Sequence, residues 1–228
     1  MGVRTTARKS TAKERGRRPG NGDTRSAILD AGEACFAMFG YAGTGLRVIA
    51  AKAGVNQGLL HHYFGSKERL FQEVFLRRGS ELARRRVELL DALEVQRKAP
   101  SVEDIVAAYL RPAYELKAEG GPGGVAFLKL QARLNDEMQM IPRAMRDAVY
   151  DEAMQRYIAA FAQALPKLDA KTVYWRMIFA VGAYLYTISD LHRLDAISDG
   201  ACNPRNLDES FSQLASFVAN GLRGKIPT

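Results

Sequence analysis

The stretch 56–67, NQGLLHHYFGSK, concentrates side chains that donate, accept and stack: Asn56, Gln57, His61, His62 and Tyr63, with Lys67 at its end. Gln57 is the residue best suited to reading a base, because its amide pairs a donor with an acceptor as the N6/N7 edge of adenine requires. Gly58 beside it carries nothing that would hold another backbone away. Just upstream stand Thr44 and Arg47, a hydroxyl and a guanidinium suited to phosphate oxygens. Phosphate contacts fix register without reading sequence. Mounted on a short, rigid helix, this set describes contact with a duplex groove. Other chemistries fit less well. His61 and His62 are adjacent, and neighbours on a helix diverge by about 100°. No third ligand is in register with them, so no metal or cofactor is expected. For catalysis the one cluster is Ser189, Asp190, His192 and Asp195. A helix terminus there sets Asp190 and His192 badly for cooperation, and no oxyanion or metal framework accompanies them, so no catalytic residue is assigned.

The elements that must position the polar set follow from periodicity. Leu46, Ile49, Ala50 and Ala53 recur at helical spacing and Gly54 ends that helix; a second short helix starts near Asn56. Val55, Leu59, Leu60 and Phe64 give it a buried face, leaving Gln57, Gly58, His61, His62 and Tyr63 on the other. Ahead of this pair, Asp23 or Thr24 can cap a helix whose stripe is Ile28, Leu29, Cys35, Phe36 and Phe39, closed by Gly40. Ser66 caps a long helix from Lys67 to about Gln96, with Leu70, Phe71, Val74, Phe75, Leu82, Leu89, Leu90 and Leu93 inward. It begins in one domain and ends beyond it, so it can carry a displacement between the two. Arg84-Arg85-Arg86 reads as a solvated face with partners such as Glu81 to Arg85.

Beyond it, helices are expected over Val102 to about Ala118, Val125 to Met140, Pro142 to about Leu165, Lys171 to about Leu194, and Leu207 to Leu222. Gly120-Gly121-Pro122-Gly123-Gly124 lacks the strand and the Lys-Ser/Thr pair of a phosphate loop and reads as a flexible connection. With neither β alternation nor an internal repeat, the chain reads as all-α, with roughly nine helices. The expected division is a basic arm over 1–22, a three-helix helix-turn-helix domain over 23–68, and a larger helical domain over 69–228.

The 228 residues are 47% hydrophobic, enough for a well-buried core, and carry a net charge of +8. Residues 1–23 hold seven basic side chains against two acidic ones, +5 of that total. The arm has almost nothing to bury and is expected to be disordered. It is either a solubilising tail or, through Arg15-Gly16-Arg17-Arg18-Pro19, an element for a narrow minor groove. Cys35 and Cys202 lack metal-ligand spacing, which fits a reduced cytoplasm, and Cys35 reads as a core thiol. No signal peptide is legible, and the longest apolar run, Met177 to Ile188, is shorter than the ~20 residues that span a bilayer. No membrane association is expected, and the chain is read as cytoplasmic.

The spaced pattern of Thr44, Arg47, Ile49, Ala50, Ala53-Gly54-Val55, Gly58, Tyr63-Phe64 and Ser66-Lys67 closely resembles the DNA-binding domain of TetR-family transcriptional repressors. The resemblance implies that Tyr63 and Lys67 complete a phosphate clamp. The chain departs from the family at His61, where many relatives have an aromatic. It further implies a homodimer built by the two last helices. Their apolar positions Ile178, Val181, Gly182, Leu185, Phe211, Leu214, Val218 and Leu222 are the expected interface. A twofold pair reads two half-sites ~34 Å or a multiple apart, hence a palindromic operator in double-stranded DNA. A pocket for a small lipophilic or aromatic effector is likewise implied. Tyr109, Phe127, Leu130, Gln131, Leu134, Tyr150, Trp175 and Phe179 are the candidates for its lining, with plain packing the alternative for each. The function implied is an effector-released repressor. The competing readings are a sequence-independent DNA binder, which the tail favours, and an enzyme.

Overall fold

The computed structural model describes residues 21–137, 143–189, 192–203 and 205–225 and holds ten α-helices and no strand among them. The N-terminal unit is α1 (Asn21–Gly43), α2 (Leu46–Lys52) and α3 (Gln57–Phe64). The 30-residue α4 (Lys67–Gln96) leaves this unit and becomes the spine of the rest. Around it lie α5 (Val102–Glu119), α6 (Gly121–Glu137), α7 (Arg143–Ala164), α8 (Ala170–Ser189), α9 (His192–Ile197) and α10 (Leu207–Arg223).

Helix ends are set by short polar side chains. Ser66 Oγ accepts the Arg69 amide at 3.1 Å and starts α4. Ser101 and Asp104 exchange side-chain and backbone bonds at 3.1 and 3.3 Å, a capping box opening α5. Asn206 caps α10 by accepting from Glu209 N at 3.1 Å. The apolar stripes then decide the packing. Ile28, Phe36, Ile49, Leu60, Phe64, Leu70 and Phe71 form the N-terminal core, with the Phe36 and Phe71 rings edge to face at 4.9 Å. Helix α1 lies against both α4 and α6, so the N-terminal unit rests on two elements of the larger domain. Helix α4 packs on α5 and α7, and α10 crosses α5 and α8.

Several sequence expectations are corrected. Helix α1 begins at Asn21, so residues 21 and 22 belong to it rather than to the arm, and Asp23 sits in its first turn instead of capping it. Residues 1–20, with the Arg15–Pro19 motif, lie outside the described residues, as does Pro142. The glycine run is no flexible connection. Gly120 caps α5, and Gly121 at φ 59° opens α6. A Cβ at Gly120 or Gly124 would collide with the Leu116 carbonyl oxygen, so the glycines permit a tight reversal. Helix α8 (Ala170–Ser189) buries the stripe Val173, Met177, Ala180, Tyr184 and Ile188, and residues 190 and 191, inside the helix expected to reach Leu194, lie outside the described residues.

Candidate nucleic-acid interface

The turn between α2 and α3 is a complete Schellman arrangement: Val55 N donates to Ala50 O at 3.0 Å and Gly54 N to Ala51 O at 3.2 Å. It requires a left-handed residue, which Gly54 supplies at φ 68°. Asn56 then begins α3, its Oδ1 accepting from Leu59 N at 2.7 Å. Leu60 and Phe64 are fully buried, and their i,i+4 spacing nails one side of α3 to the core. The opposite side, Gln57, Gly58, His61 and His62, is exposed. At the far end Gly65, at φ 71°, turns the chain into Ser66 and α4.

The sequence-derived contact set divides on this frame. Gln57, Gly58, His61 and His62 share the open face of α3, and Arg47 is exposed on α2. Tyr63 is half-buried, its ring 5.8 Å from that of His62. Lys67 holds its Nζ 4.4 Å from the centre of the Tyr41 ring and 3.5 Å from Ala42 O, so it stands at the junction of α1 and α4. Asn56 is exposed but its side-chain oxygen is committed to the cap. That cap supplies a second reason for Gly58, since a Cβ there would sit 3.3 Å from Asn56 Oδ1.

Thr44 is the correction. It is 2% exposed, and its hydroxyl donates to Gly40 O at 2.6 Å with Cys35 O at 3.1 Å. The N-cap of α2 is Gly45. Gly40 at φ 70° interrupts α1 and leaves carbonyls without helical partners, and Thr44 satisfies them. Its role is to lock the α1–α2 corner, leaving nothing for a phosphate.

Helix α1 is tied to α4 by a buried charge. Glu33, with no exposed surface, takes Arg77 and, at 3.3 Å, Arg78, while Arg77 also meets Asp30 at 2.8 Å. Burial pushes the Glu33 carboxyl up, against the two guanidinium groups that draw it down. Gly123 of α6 leaves room for this cluster; a Cβ there would come within 2.9 Å of Arg78 Nη2. Helix α1 is thereby keyed to α4 here, as it is by Arg25 and Glu73 nearer the start of that helix.

In that domain the expected pocket residues separate. Tyr109, Phe127, Leu130 and Gln131 are buried, and Gln131 Nε2 donates to the Tyr150 hydroxyl at 3.0 Å. The Leu134 side chain lies outside the described residues. Trp175 and Phe179 are corrected: both are exposed on the outer side of α8, their rings 5.8 Å apart, because the inward stripe of α8 is Val173, Met177, Ala180, Tyr184 and Ile188. Arg86 is a further correction: read from the sequence as part of a solvated face, it is 3% exposed, and Tyr157 and Tyr184, buried beside it, were not among the candidates. Arg86 lies at i+4 from Leu82 and i−4 from Leu90, within the apolar stripe, and that register was the signal.

The expected dimer residues divide similarly. Leu214, Val218 and Leu222 are buried within the subunit, where α10 meets α5 and α8, and this corrects their assignment to a surface. Phe211 is half-buried, edge to face with Tyr114 at 5.2 Å. Val181 and Leu185 are half-buried, while Ile178 and Gly182 are exposed. The open apolar face instead comprises Tyr174, Trp175, Ile178, Phe179 and Tyr186 of α8 and Phe217 of α10. A groove of about 450 Å³ beside Tyr186 and Phe217 reaches Cys202. Of the residues considered for catalysis, Ser189 Oγ donates to Tyr186 O at 3.2 Å, Asp195 is exposed, and Asp190 and the His192 side chain are outside the described residues. Among the described residues no helix is long and apolar enough to cross a membrane.

Comparison with known proteins bears on both parts of this architecture. Residues 28–74 match the family model of bacterial regulatory proteins of the tetR family, and residues 107–221 match the tetracyclin repressor-like C-terminal domain. The transcriptional repressor NemR of Escherichia coli K12 is 30% identical over 143 residues, 63% of this chain and 67% of that protein. The transcriptional repressor Rv3405c of Mycobacterium tuberculosis is 40% identical over 65 residues, 28% of this chain and 35% of the other. Among solved structures, a TetR-like transcriptional regulator from Rhodococcus sp. RHA1 has a TM-score of 0.64 at 20% identity, covering 91% of this chain and all of that one. FadR, a transcriptional regulator from Bacillus subtilis, in complex with stearoyl-CoA, has a TM-score of 0.54 at 17% identity, covering 86% of this chain and 98% of the other. A helix-turn-helix with a rigidly backed polar face, set on a helical domain that matches in its own right, makes this chain a member of the TetR family of DNA-binding transcriptional regulators.

Proposed function

We propose that the chain is a cytoplasmic, non-catalytic repressor that binds a palindromic operator as a homodimer and is released by a small effector with a lipophilic or aromatic body. The observation that carries this is the two-sidedness of α3: Leu60 and Phe64 fully buried, Gln57, Gly58, His61 and His62 open. Gln57 reads a base edge, and Arg47, Tyr63 and Lys67 bond the backbone around it. The second copy covers the aromatic face of α8 and α10; an apolar surface of that kind on a soluble protein marks an interface. Exposed Gly182, with nothing within 4 Å of the place of a Cβ, lets a partner helix come close. Release works through α4, which joins the reading unit to the domain interior and is keyed to α1 at Glu33. The effector must prefer one of two arrangements, because equal affinity for both shifts nothing. The fold is compatible with an acyl ligand, as FadR of Bacillus subtilis with stearoyl-CoA illustrates.

Selection of bound duplexes from a random pool tests the reading. Enrichment of a palindrome preferred over random duplex by at least ~10³-fold supports it. Equal affinity for all duplexes supports a sequence-independent binder and removes the operator.

A further inference from the structure

One charge in the interior has no part in the scheme above. Arg86 is 3% exposed, and its Nε donates to Tyr109 O at 3.0 Å. Its guanidinium carbon lies 3.9 Å from the centre of the Tyr109 ring and 5.1 Å from that of Tyr184. Tyr157 donates its hydroxyl to the Arg86 carbonyl at 2.9 Å, fixing the α4 backbone at this point. The guanidinium Nη2 is fully enclosed and has no hydrogen-bond partner, and no ion pair reaches Arg86 among the described residues.

The surrounding tyrosines do not supply the missing negative charge. Burial pushes the Tyr184 hydroxyl up to about 12 and raises Tyr150 and Tyr157 as well, so all three are neutral near pH 7. They are organised nonetheless. Tyr184 donates to Gln131 Oε1 at 2.8 Å, and Gln131 Nε2 donates to the Tyr150 hydroxyl at 3.0 Å, which leaves Tyr150's own proton to offer. Gly79 admits that ring; a Cβ there would be 3.4 Å from the Tyr150 hydroxyl and 3.0 Å from Val149. A buried guanidinium with an unpartnered Nη2 and no counter-charge among the described residues carries a large desolvation cost, which the Tyr184 hydroxyl beside it meets only in part. Aromatic faces offset part of it. An anion entering the site would offset the rest.

We propose that Arg86 is the anchor of an effector carboxylate, with the Tyr150 hydroxyl as a second donor and the apolar body of the ligand among Tyr109, Phe127 and Leu130. The anion is a carboxylate because a planar guanidinium and a phenol present few donors among aromatic rings. A single charge on two oxygens suits that; a strongly hydrated, multiply charged phosphate does not. The proposal rests on the reading of the chain as an effector-responsive repressor and narrows the effector to an apolar monocarboxylate.

Calorimetric titration of the full-length protein with decanoate, tetradecanoate, phenylacetate and naphthoate, each beside its neutral primary amide, tests the anchor. At least one acid is expected to bind about 10- to 100-fold more tightly than its amide, the range of a charge-assisted hydrogen bond. Arg86→Met is expected to erase that preference and Arg86→Lys to keep part of it, in variants that retain the wild-type circular dichroism. The acid-to-amide ratio of the wild type needs no variant, so it stands even if Arg86→Met fails to fold. Absence of acid binding, equal affinity for acid and amide, or a preference that survives Arg86→Met overturns the proposal. Operator binding followed in parallel separates the two readings. An acid that binds through Arg86 and leaves DNA bound refutes effector release while keeping the anchor. Neutral compounds that release DNA while no acid binds do the reverse.

Discussion

If a second copy closes over the outer face of α8, replacing Phe179 by glutamate splits the dimer without unfolding the subunit. Phe179 is 64% exposed in the isolated chain, its ring 5.8 Å from that of Trp175. An aromatic side chain covers about 200 Å², so complete coverage removes about 130 Å² per copy from water. At ~25 cal/mol per Å² that is ~3 kcal/mol per subunit and ~6 kcal/mol for the two sites of a symmetric pair, or ~10⁴-fold in the dissociation constant. The burial of two new carboxylates adds to it. Sedimentation across a concentration series reads the constant directly, and thermal melts check the fold. Phe179→Glu is expected to shift the monomer–dimer midpoint by at least ~10³-fold and to weaken the operator complex in proportion. Leu214→Ala, in the subunit core, is expected to lower the melting temperature first. A wild-type chain that is monomeric, or a Phe179→Glu variant that dimerises unchanged, refutes the reasoning.

Three further outcomes follow from the geometry. Gln57→Ala is expected to leave the melting temperature within the range of a surface change while lowering operator affinity relative to random duplex by about 10- to 100-fold, measured by fluorescence anisotropy. Thr44→Val removes the hydroxyl from Gly40 O and Cys35 O; it is expected to cost ~1–2 kcal/mol in denaturant unfolding and to leave the salt slope of DNA binding unchanged. An altered slope would restore Thr44 to the phosphate contacts. Burial pushes the Tyr184 hydroxyl up from the ordinary ~10 of a phenol to about 12, so the folded state holds its proton more tightly than the unfolded one. Its contribution is complete below pH ~10 and is lost as the pH rises from ~10 to ~12, on the order of 2–3 kcal/mol. Tyr184→Phe is expected to shallow that alkaline limb in chemical denaturation, and an unchanged limb would show that the hydroxyl is not the group responsible.

The reading unit was legible because its determinants are local. The Ala53-Gly54-Val55 turn, the Asn56 and Ser66 caps and the i,i+4 pair Leu60 and Phe64 each act within a few residues, and Gly54 at φ 68° realises what the turn demands. The open face of α3 then follows from helix geometry alone. Thr44 was misread because a hydroxyl before a helix suits a cap and a phosphate equally. Only the kink at Gly40, which presents unpaired carbonyls nine and four residues upstream of or at that corner, decides between them.

By itself the chain determined its helices, their caps and the side of each that is apolar, since these depend on spacing along one element. It did not determine which apolar surface meets another element and which stays open. Leu214 and Val218 read like Ile178 until the crossing of α10 over α5 and α8 buries the first two and leaves the third open, and Phe179 reads like Phe127 until α1, α5 and α8 pack against α6. Arg86 is the same lesson in charge: its run of three arginines looked solvated, and only the closure of α5, α7 and α8 around α4 takes the third one out of water. Burial belongs to the assembly of elements, because a side chain leaves water only when something else is packed over it.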